Sequence, residues 1–292
     1  MATTIQAGFA KLRANLEITG LQTITVSTRQ IGVRDAVARS FTVLDSFLAG
    51  SYARSTMIAP LGDADIDIFI VLDPSYYSKY TPASLLDRLR KVLLETYTTT
   101  SKISRNGQAV TLSFRDFQVD VVPAFNRNGG GFVIPNSLTA TWISTDPTVH
   151  ARALTAANRV HNGNLVPLIK MIRGWNRVIN GAFVGFYLEL MTMDILDNIR
   201  IEDDPSGVRY VFDKGREKIK LKQIDPAGFG NQVNGLSGVY TIQDAISRFE
   251  TAYGRASRAE QLARENKVAA AFDEWRKIFG NYFPAYSGAR FI

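Results

Sequence analysis

Two aspartates stand two residues apart in a short apolar segment, and a third stands in a later one. Asp65 and Asp67 alternate with isoleucines, and Asp120 lies between two valines. Side chains two residues apart on a strand point to the same face, so Asp65 and Asp67 would point together. Mg²⁺ prefers carboxylate oxygens, and a pair of divalent cations can drive transfer of a nucleotidyl group to a hydroxyl. We therefore expect Asp65, Asp67 and Asp120 to be catalytic residues and metal ligands.

A Gly-Ser pair, Gly50 and Ser51, precedes the aspartates. The apolar pattern from Phe41 to Ala49 predicts a buried strand that ends in a turn and a short helix. Backbone N–H groups and a hydroxyl at a helix start favour phosphate, so we expect Gly50 and Ser51 to bind the phosphates of a nucleotide donor. Taken alone, a Gly-Ser turn is most often only a turn, and an alternating aspartate pair can be a solvated strand.

The elements that must position these residues follow an α+β pattern up to about residue 150. Apolar periodicity predicts helices at residues 6–16, 27–40 and 81–96, and strands at residues 41–49, 66–72, 109–114, 117–123 and 132–135. The glycines at residues 129–131 could approach a phosphate, but no Lys-Ser pair and no helix follow them. We interpret that segment as a hairpin tip.

After Asp146-Pro147 the pattern becomes helical. Helices are predicted at residues 149–160, 165–179, 183–199, 242–253 and 259–279, with an irregular stretch at residues 202–239. We therefore expect a boundary near residue 150, with a catalytic lobe at residues 1–150 and a mainly helical lobe at residues 151–292.

Composition removes several classes of site. The chain has no cysteine, which excludes disulfides, thiolate metal sites and cysteine nucleophiles, and it has two histidines, too few for a zinc site built from several imidazoles. Its net charge of +7 suits a polyanionic ligand such as nucleic acid, a nucleotide or a membrane surface, and does not distinguish among them. No apolar run approaches the ~20 residues that span a bilayer, so we expect a soluble, cytoplasmic protein with no membrane partner.

The ordered motifs together resemble a known superfamily, the nucleotidyltransferases with a DNA-polymerase-β-like core. The matching segments are Gly50–Thr56, Asp65–Ile68 and Val119–Phe125, which correspond to its GS, DxD and third-acid motifs. Later segments resemble the helical domain of oligoadenylate synthetases and of the bacterial cyclic GMP-AMP synthase-like enzymes (CD-NTases), namely Leu165–Asn176, Phe186–Leu190, Asp225–Ala227 and Trp275–Pro284. The resemblance covers nearly the whole chain.

The resemblance implies an α+β fold. A polymerase-β-like nucleotidyltransferase palm, a mixed sheet flanked by helices, would be followed by a mainly helical oligoadenylate-synthetase-like lobe, with the active site in the cleft between them. The implied enzyme joins ribonucleoside triphosphates into a cyclic di- or trinucleotide, or a short oligonucleotide, and releases pyrophosphate. Two Mg²⁺ ions per site, replaceable by Mn²⁺, would be its cofactors. The product would be a bacterial anti-phage messenger that a separate effector protein reads.

The resemblance also marks candidate nucleotide-binding residues in the helical half. Relatives often place a lysine two residues before the tryptophan, where this chain has Arg173 before Trp175, and Lys170 stands one turn earlier. Residues three apart share a helix face, so either cation could contact the triphosphate, and we favour Lys170. Phe186 stands where relatives stack an aromatic side chain on a base, and Gly185 replaces the serine before it.

Two other functions fit parts of the pattern. A tRNA terminal or antibiotic nucleotidyltransferase would have the same aspartates, although the helical half and the lack of an RNA-binding domain count against it. A catalytically silent nucleotide or RNA sensor would keep the fold, although the presence of all three acids counts against that. We expect no nucleic-acid activator, because the chain has no zinc-binding insertion. We also expect a monomer.

Overall fold

The computed structural model describes residues 2–100, 102–238 and 240–288. Up to residue 145 the chain alternates helices and strands. In chain order these are α1 (Ile5–Leu16), α2 (Gly20–Ala38), β1 (Val43–Leu48), α3 (Gly50–Ala53), β2 (Asp65–Leu72), α4 (Ser75–Lys79), α5 (Pro82–Thr96), β3 (Lys102–Asn106), β4 (Ala109–Ser113), β5 (Gln118–Asn126), β6 (Phe132–Asn136) and β7 (Thr141–Thr145).

The rest of the chain is mainly helical. It contains α6 (Pro147–Val160), α7 (Leu165–Val178), α8 (Gly185–Leu196), α9 (Asp204–Lys218), the short strands β8 (Gln223–Ile224) and β9 (Gln232–Val233), α10 (Ile242–Arg264) and α11 (Val268–Phe279). No helix in the described ranges combines the length and the apolar character that a membrane crossing requires.

The chain forms two compact units. The helical unit consists of Met1–Glu17, Leu154–Asp225 and Gly230–Ile292, and the sheet unit consists of Ile18–Ala153 and Pro226–Phe229. These ranges differ from the expected division at residue 150, because α1 packs within the helical unit. The ring of Phe9 lies 4.8 Å from that of Trp275, and Arg13 forms a 2.5 Å ion pair with Asp204.

The main sheet has the strand order β1-β2-β5-β4-β3, and β6 and β7 continue from the end of β5. Strands β2 and β5 run parallel, whereas the other neighbouring pairs are antiparallel, so the expected mixed sheet is confirmed. One face of the sheet packs against α2 and α5. Its buried side chains include Ile66, Ile68, Val110, Val119 and Val121.

The opposite face of the sheet changes character along the strands. Asp65 and Asp67 alternate with the buried isoleucines of β2 and therefore point to this opposite face. Further along the same face a small apolar cluster forms from Ala49, Phe69, Ala109, Val122, Ala124 and Ile134. The acids thus lie at the polar end of an otherwise apolar sheet face.

The core of the helical unit is built on Trp175. Its ring lies 4.9 Å from the rings of both Phe212 and Phe249 and stacks on Phe183 at 5.4 Å. Tyr187 packs nearby, where its hydroxyl donates to the carbonyl of Leu221 at 2.6 Å. Burial raises the pKa of Tyr187 to about 12.

Two predictions about the helical half are wrong. The stretch at residues 202–239 was expected to be irregular, but α9 occupies Asp204–Lys218 and begins at an N-cap, where the side chain of Asp203 accepts the N–H of Ser206. The two helices expected at residues 242–253 and 259–279 are divided elsewhere, since α10 continues to Arg264. Asn266, with φ of 60°, takes the left-handed conformation in the linker before α11.

Candidate active site

The three candidate acids lie on adjacent strands. In the parallel pairing of β2 with β5, Asp67 is the direct partner of Asp120, and Asp65 is the partner of Gln118. Cross-strand partners point to the same face, so the structure brings all three carboxylates to one face of the sheet. Asp65 is exposed, while Asp67 and Asp120 are half-buried.

The pKa of the Asp120 carboxyl is raised above its ordinary value. Burial raises its pKa, and the negative charge of Asp65 raises it further, whereas a hydrogen bond from the hydroxyl of Thr111 acts in the opposite direction. Thr111 is the partner of Asp120 on the neighbouring strand β4, and its Oγ1 donates to Oδ1 of Asp120. Sequence reasoning missed Thr111; the available signal was a hydroxyl within the apolar run of β4.

The Gly50-Ser51 turn lies directly beside Asp67. The N–H of Ala49 donates to the carbonyl of Asp67 at 2.8 Å, which joins the end of β1 to β2. Gly50 follows with φ of +59° and begins α3, and a β-carbon on it would lie 1.7 Å from Oδ2 of Asp67. The backbone of Gly50 therefore lies in close contact with the carboxylate of Asp67. The order of the motifs in the sequence suggests that the two are near each other, but it does not show the contact. The carbonyl of Ser51 accepts the N–H of Thr56 at 2.9 Å, which closes the turn.

The three carboxylates offer hard oxygen atoms as metal ligands. Within the described residues, no three His, Cys, Asp or Glu side chains lie close enough together to count as a preformed metal cluster. Three carboxylates on one sheet face nevertheless suit a hard divalent cation, which binds carboxylate oxygens together with substrate phosphates. The chemistry of Asp65, Asp67 and Asp120 therefore fits Mg²⁺ or Mn²⁺.

Lys170 belongs to α7 and lies in the helical unit. Its side chain is 8% exposed, and its Nζ lies 2.6 Å from Oε2 of Glu17, whose side chain is 53% exposed. The buried ammonium group of Lys170 is thus paired with a carboxylate that is itself exposed to solvent.

Arg173 lies one turn further along α7. It donates to Oε1 of Glu189 on α8, and the Glu189 side chain is 1% exposed. A β-carbon on Gly185 would lie 3.1 Å from Nη1 of Arg173, so the glycine leaves room for the guanidinium. Phe186 follows Gly185 and is half-buried. The close packing of Arg173 therefore explains why a glycine stands at position 185. The sequence alone gave no reason for this glycine.

The glycine-rich segment is a hairpin tip. The N–H of Arg127 donates to the carbonyl of Gly131 at 3.0 Å, and β5 pairs with β6 on either side of it. The hairpin interpretation is confirmed, and these residues form no phosphate loop before a helix.

The chain is similar to known proteins. Residues 3–158 match the family model described as the Second Messenger Oligonucleotide or Dinucleotide Synthetase domain. The chain is 27% identical to a probable cyclic nucleotide synthase of Bacillus cereus (strain VD146) over 276 residues, which cover 81% of each protein. It is 25% identical to a cyclic AMP-AMP-AMP synthase of Acinetobacter sp. over 300 residues, which cover 96% of this chain and 86% of that protein.

A solved structure shows the same fold. The structure of CdnC of E. coli MS115-1 with ATP superposes with a TM-score of 0.73 at 17% identity, covering 96% of this chain and 99% of CdnC. The part of this chain that superposes on CdnC includes residues of both units.

Proposed function

The chain belongs to the Second Messenger Oligonucleotide or Dinucleotide Synthetase family of metal-dependent nucleotidyltransferases, and we propose that Asp65, Asp67 and Asp120 are its catalytic acids. As a member it is an enzyme that joins nucleotides into cyclic oligonucleotides. The proposal extends this to a cyclic di- or trinucleotide built from ribonucleoside triphosphates. The observation that carries the assignment of the acids is the pairing of Asp67 with Asp120 on parallel strands, with Gly50 packed against Asp67.

Asp65, Asp67 and Asp120 would hold two Mg²⁺ ions, which Mn²⁺ could replace. When bound, such cations polarise the α-phosphate and favour deprotonation of the attacking hydroxyl. The chain's own residues then have two tasks. The acids stay in place because β2 and β5 are central strands of the sheet, and the Gly50-Ser51 turn beside them offers its backbone and the Ser51 hydroxyl to the phosphates of the donor.

The reaction that these groups would support is inline attack by a ribose hydroxyl on an α-phosphate. The new phosphodiester bond forms as the bond to pyrophosphate breaks, and repetition within the bound product closes the ring. Positioning and charge stabilisation account for most of the rate in such transfers. In the helical unit we propose Lys170 as the triphosphate contact, with Arg173 as the alternative, and Phe186 as the aromatic side chain that stacks on a base.

Product analysis tests the proposal. The protein is incubated with labelled ribonucleoside triphosphates, singly and in combination, with Mg²⁺ or Mn²⁺, then treated with phosphatase and chromatographed. We expect a phosphatase-resistant product, and pyrophosphate in a sample taken before the phosphatase is added, both lost in EDTA. Labelled tRNA or antibiotic with no cyclic product would support a terminal or small-molecule transferase, and the absence of any product would support a silent sensor.

A mutant pair assigns the activity to the proposed acids. Asp67→Asn should abolish product formation, whereas Asp45→Asn, which changes an exposed carboxylate on β1, should leave it intact. Equal activity in the two variants would overturn the assignment of Asp67.

A further inference from the structure

Thr111 is a buried polar residue on the face of the sheet that carries the acids. Its neighbours Val110 and Leu112 point to the opposite face and join the core under α2 and α5. Thr111 is 6% exposed, and its Oγ1 donates to Oδ1 of Asp120. A buried hydroxyl is almost always hydrogen-bonded, and here the carboxylate of the third acid is its acceptor.

The register makes this contact a fixed feature of the sheet. Thr111 and Asp120 are direct partners in the antiparallel pairing of β4 with β5, and Asp120 is in turn the partner of Asp67. Threonine is branched at Cβ, so its χ1 angle is restricted on a strand. The pairing of β4 with β5 and the restricted χ1 angle of Thr111 therefore hold its hydroxyl toward Asp120.

We propose that Thr111 is a positioning residue for the reaction, a role that rests on the proposed function of Asp120. By donating to one oxygen of the carboxylate it fixes the orientation of Asp120, so that the other oxygen is presented as a ligand atom. Groups that orient a metal ligand through a hydrogen bond commonly affect both metal affinity and rate. Thr111 itself touches neither substrate nor metal in this assignment.

Three variants distinguish the effect of the Thr111 hydroxyl from the effect of the packing of its side chain. Thr111→Val keeps the branched shape and removes the donor, and Thr111→Ser keeps the donor and removes the methyl group. Ser104→Ala is the matched control, because Ser104 is the partner of Thr111 on β3 and lies on the same face one strand further from Asp120. Each variant is measured for thermal stability, for steady-state kinetics, and for Mn²⁺ binding without nucleotide by electron paramagnetic resonance.

We expect Thr111→Val to lower kcat and weaken Mn²⁺ binding, each by about 10–100-fold, with little change in the KM for nucleotide. Thr111→Ser should restore both quantities to near the wild-type values, and Ser104→Ala should match the wild type. Wild-type Mn²⁺ affinity and kcat in a folded Thr111→Val variant would overturn the proposal. So would a folded Thr111→Ser variant as defective as the valine variant, because the methyl group would then be the part that matters.

The binding measurement keeps this proposal distinct from the proposed function. If wild-type protein binds Mn²⁺ but forms no product, the proposed function fails while the comparison of Thr111 variants still decides the role of the hydroxyl. If wild-type protein forms product and Thr111→Val is unaffected, the role of Thr111 fails alone. Should the valine variant not fold, Thr111→Ala is measured in its place with the same two outcomes.

Discussion

Gly50 packs so closely against the carboxylate of Asp67 that a side chain at position 50 would not fit. A β-carbon on Gly50 would lie 1.7 Å from Oδ2 and 2.7 Å from Cγ of that aspartate. The residue also has φ of +59°, a conformation that side chains disfavour. The glycine is therefore needed for two reasons, the left-handed backbone and the carboxylate that packs on it.

Gly50→Ala should lower activity far more than the strained backbone alone would. The left-handed conformation costs an alanine about 1–2 kcal/mol, and the new methyl group would also push Asp67 aside. Misplacement of a reacting group by about 1 Å can cost about 100-fold in rate, and we expect a loss of at least that size. Steady-state product formation measures it.

Gly107→Ala is the control for backbone strain. Gly107 has φ of +60°, and among the described residues no atom lies within 4 Å of its would-be β-carbon. Gly107→Ala should lose only the stability that the strained backbone costs and should retain activity, whereas Gly50→Ala should lose more stability because its methyl group also meets Asp67. Matching losses of activity would mean that strain, and not the contact with Asp67, explains the glycine.

Replacing Asp65 and Asp67 together with asparagine should abolish product formation while the fold persists. Close carboxylates repel one another in the metal-free protein, so their loss should leave the melting temperature unchanged or raise it. Wild-type protein should melt higher when Mn²⁺ is added, because a ligand of the folded state stabilises it, and the double variant should not respond. Calorimetry with and without Mn²⁺ measures both effects; product formation by the double variant would contradict the assignment.

The acids could be predicted from sequence because their signal is local. Asp65 and Asp67 share a strand, and the period of two places them together whatever the rest of the chain does. That Asp120 stands opposite Asp67 depends on β2 and β5 becoming parallel neighbours, which the motif resemblance implied and the register shows. Thr111 was missed because its role depends on the pairing of β4 with β5, and no local pattern records that pairing.

Helical elements were mispredicted where glycine or exposed residues hide the pattern. Helix α9 contains Gly207 and Gly215, and a β-carbon on Gly215 would lie 2.5 Å from the ring of Phe249. There glycine serves close packing within a helix, whereas by propensity it suggests a break. Helix α2 begins before the predicted residue 27, at a capping box of Thr19 with Gln22, and its exposed Leu21 and Ile24 blur the apolar face.

The place of α1 could not be predicted from its own residues. Its apolar stripe predicts a helix with one buried face, but a stripe does not name its partner. Phe9 packs against Trp275 and Phe283, which lie more than 260 residues later in the chain. The partner is decided by tertiary packing, so a division of the chain at residue 150 differs from the observed units in where it places this helix.

Gly131→Ala should destabilise the sheet unit more than Gly130→Ala. Gly131 has φ of +73°, and a β-carbon there would lie 2.9 Å from both the ring of Phe229 and the carbonyl of Thr145. Strain and overpacking together should cost about 2–4 kcal/mol. Gly130 has φ of +97° with open space around it in the described structure, so its variant should show the strain alone. Denaturant unfolding compares the two, and equal losses would contradict the contact with Phe229.

Removing the charge of Arg173 should cost more stability than removing that of Lys170. Arg173 bonds to Glu189, which is almost fully buried, and loss of one member of a buried pair costs about 3–5 kcal/mol. Lys170 bonds to the more exposed Glu17, so Lys170→Met, which keeps most of the apolar stem, should cost about 1 kcal/mol or less in lost ion pairing. Adding Glu189→Gln to Arg173→Ala should recover stability. Unfolding free energies of the four proteins test this order, and no recovery would contradict the pairing.

The ion-pair partners of Lys170 and Arg173 also predict which of the two side chains contacts the donor nucleotide. A triphosphate can replace the exposed carboxylate of Glu17 on Lys170 at little cost, whereas Arg173 is needed to pair the buried Glu189. Lys170→Met should therefore raise the KM for the donor nucleotide about 10–100-fold, the loss of one charge-assisted contact. Arg173→Lys keeps the charge beside Glu189 and loses the planar fork, so it should leave that KM almost unchanged. Initial rates with each nucleoside triphosphate varied in turn decide between them. The reverse ranking would assign the triphosphate contact to Arg173, and unchanged kinetics in both variants would remove both residues from the nucleotide site.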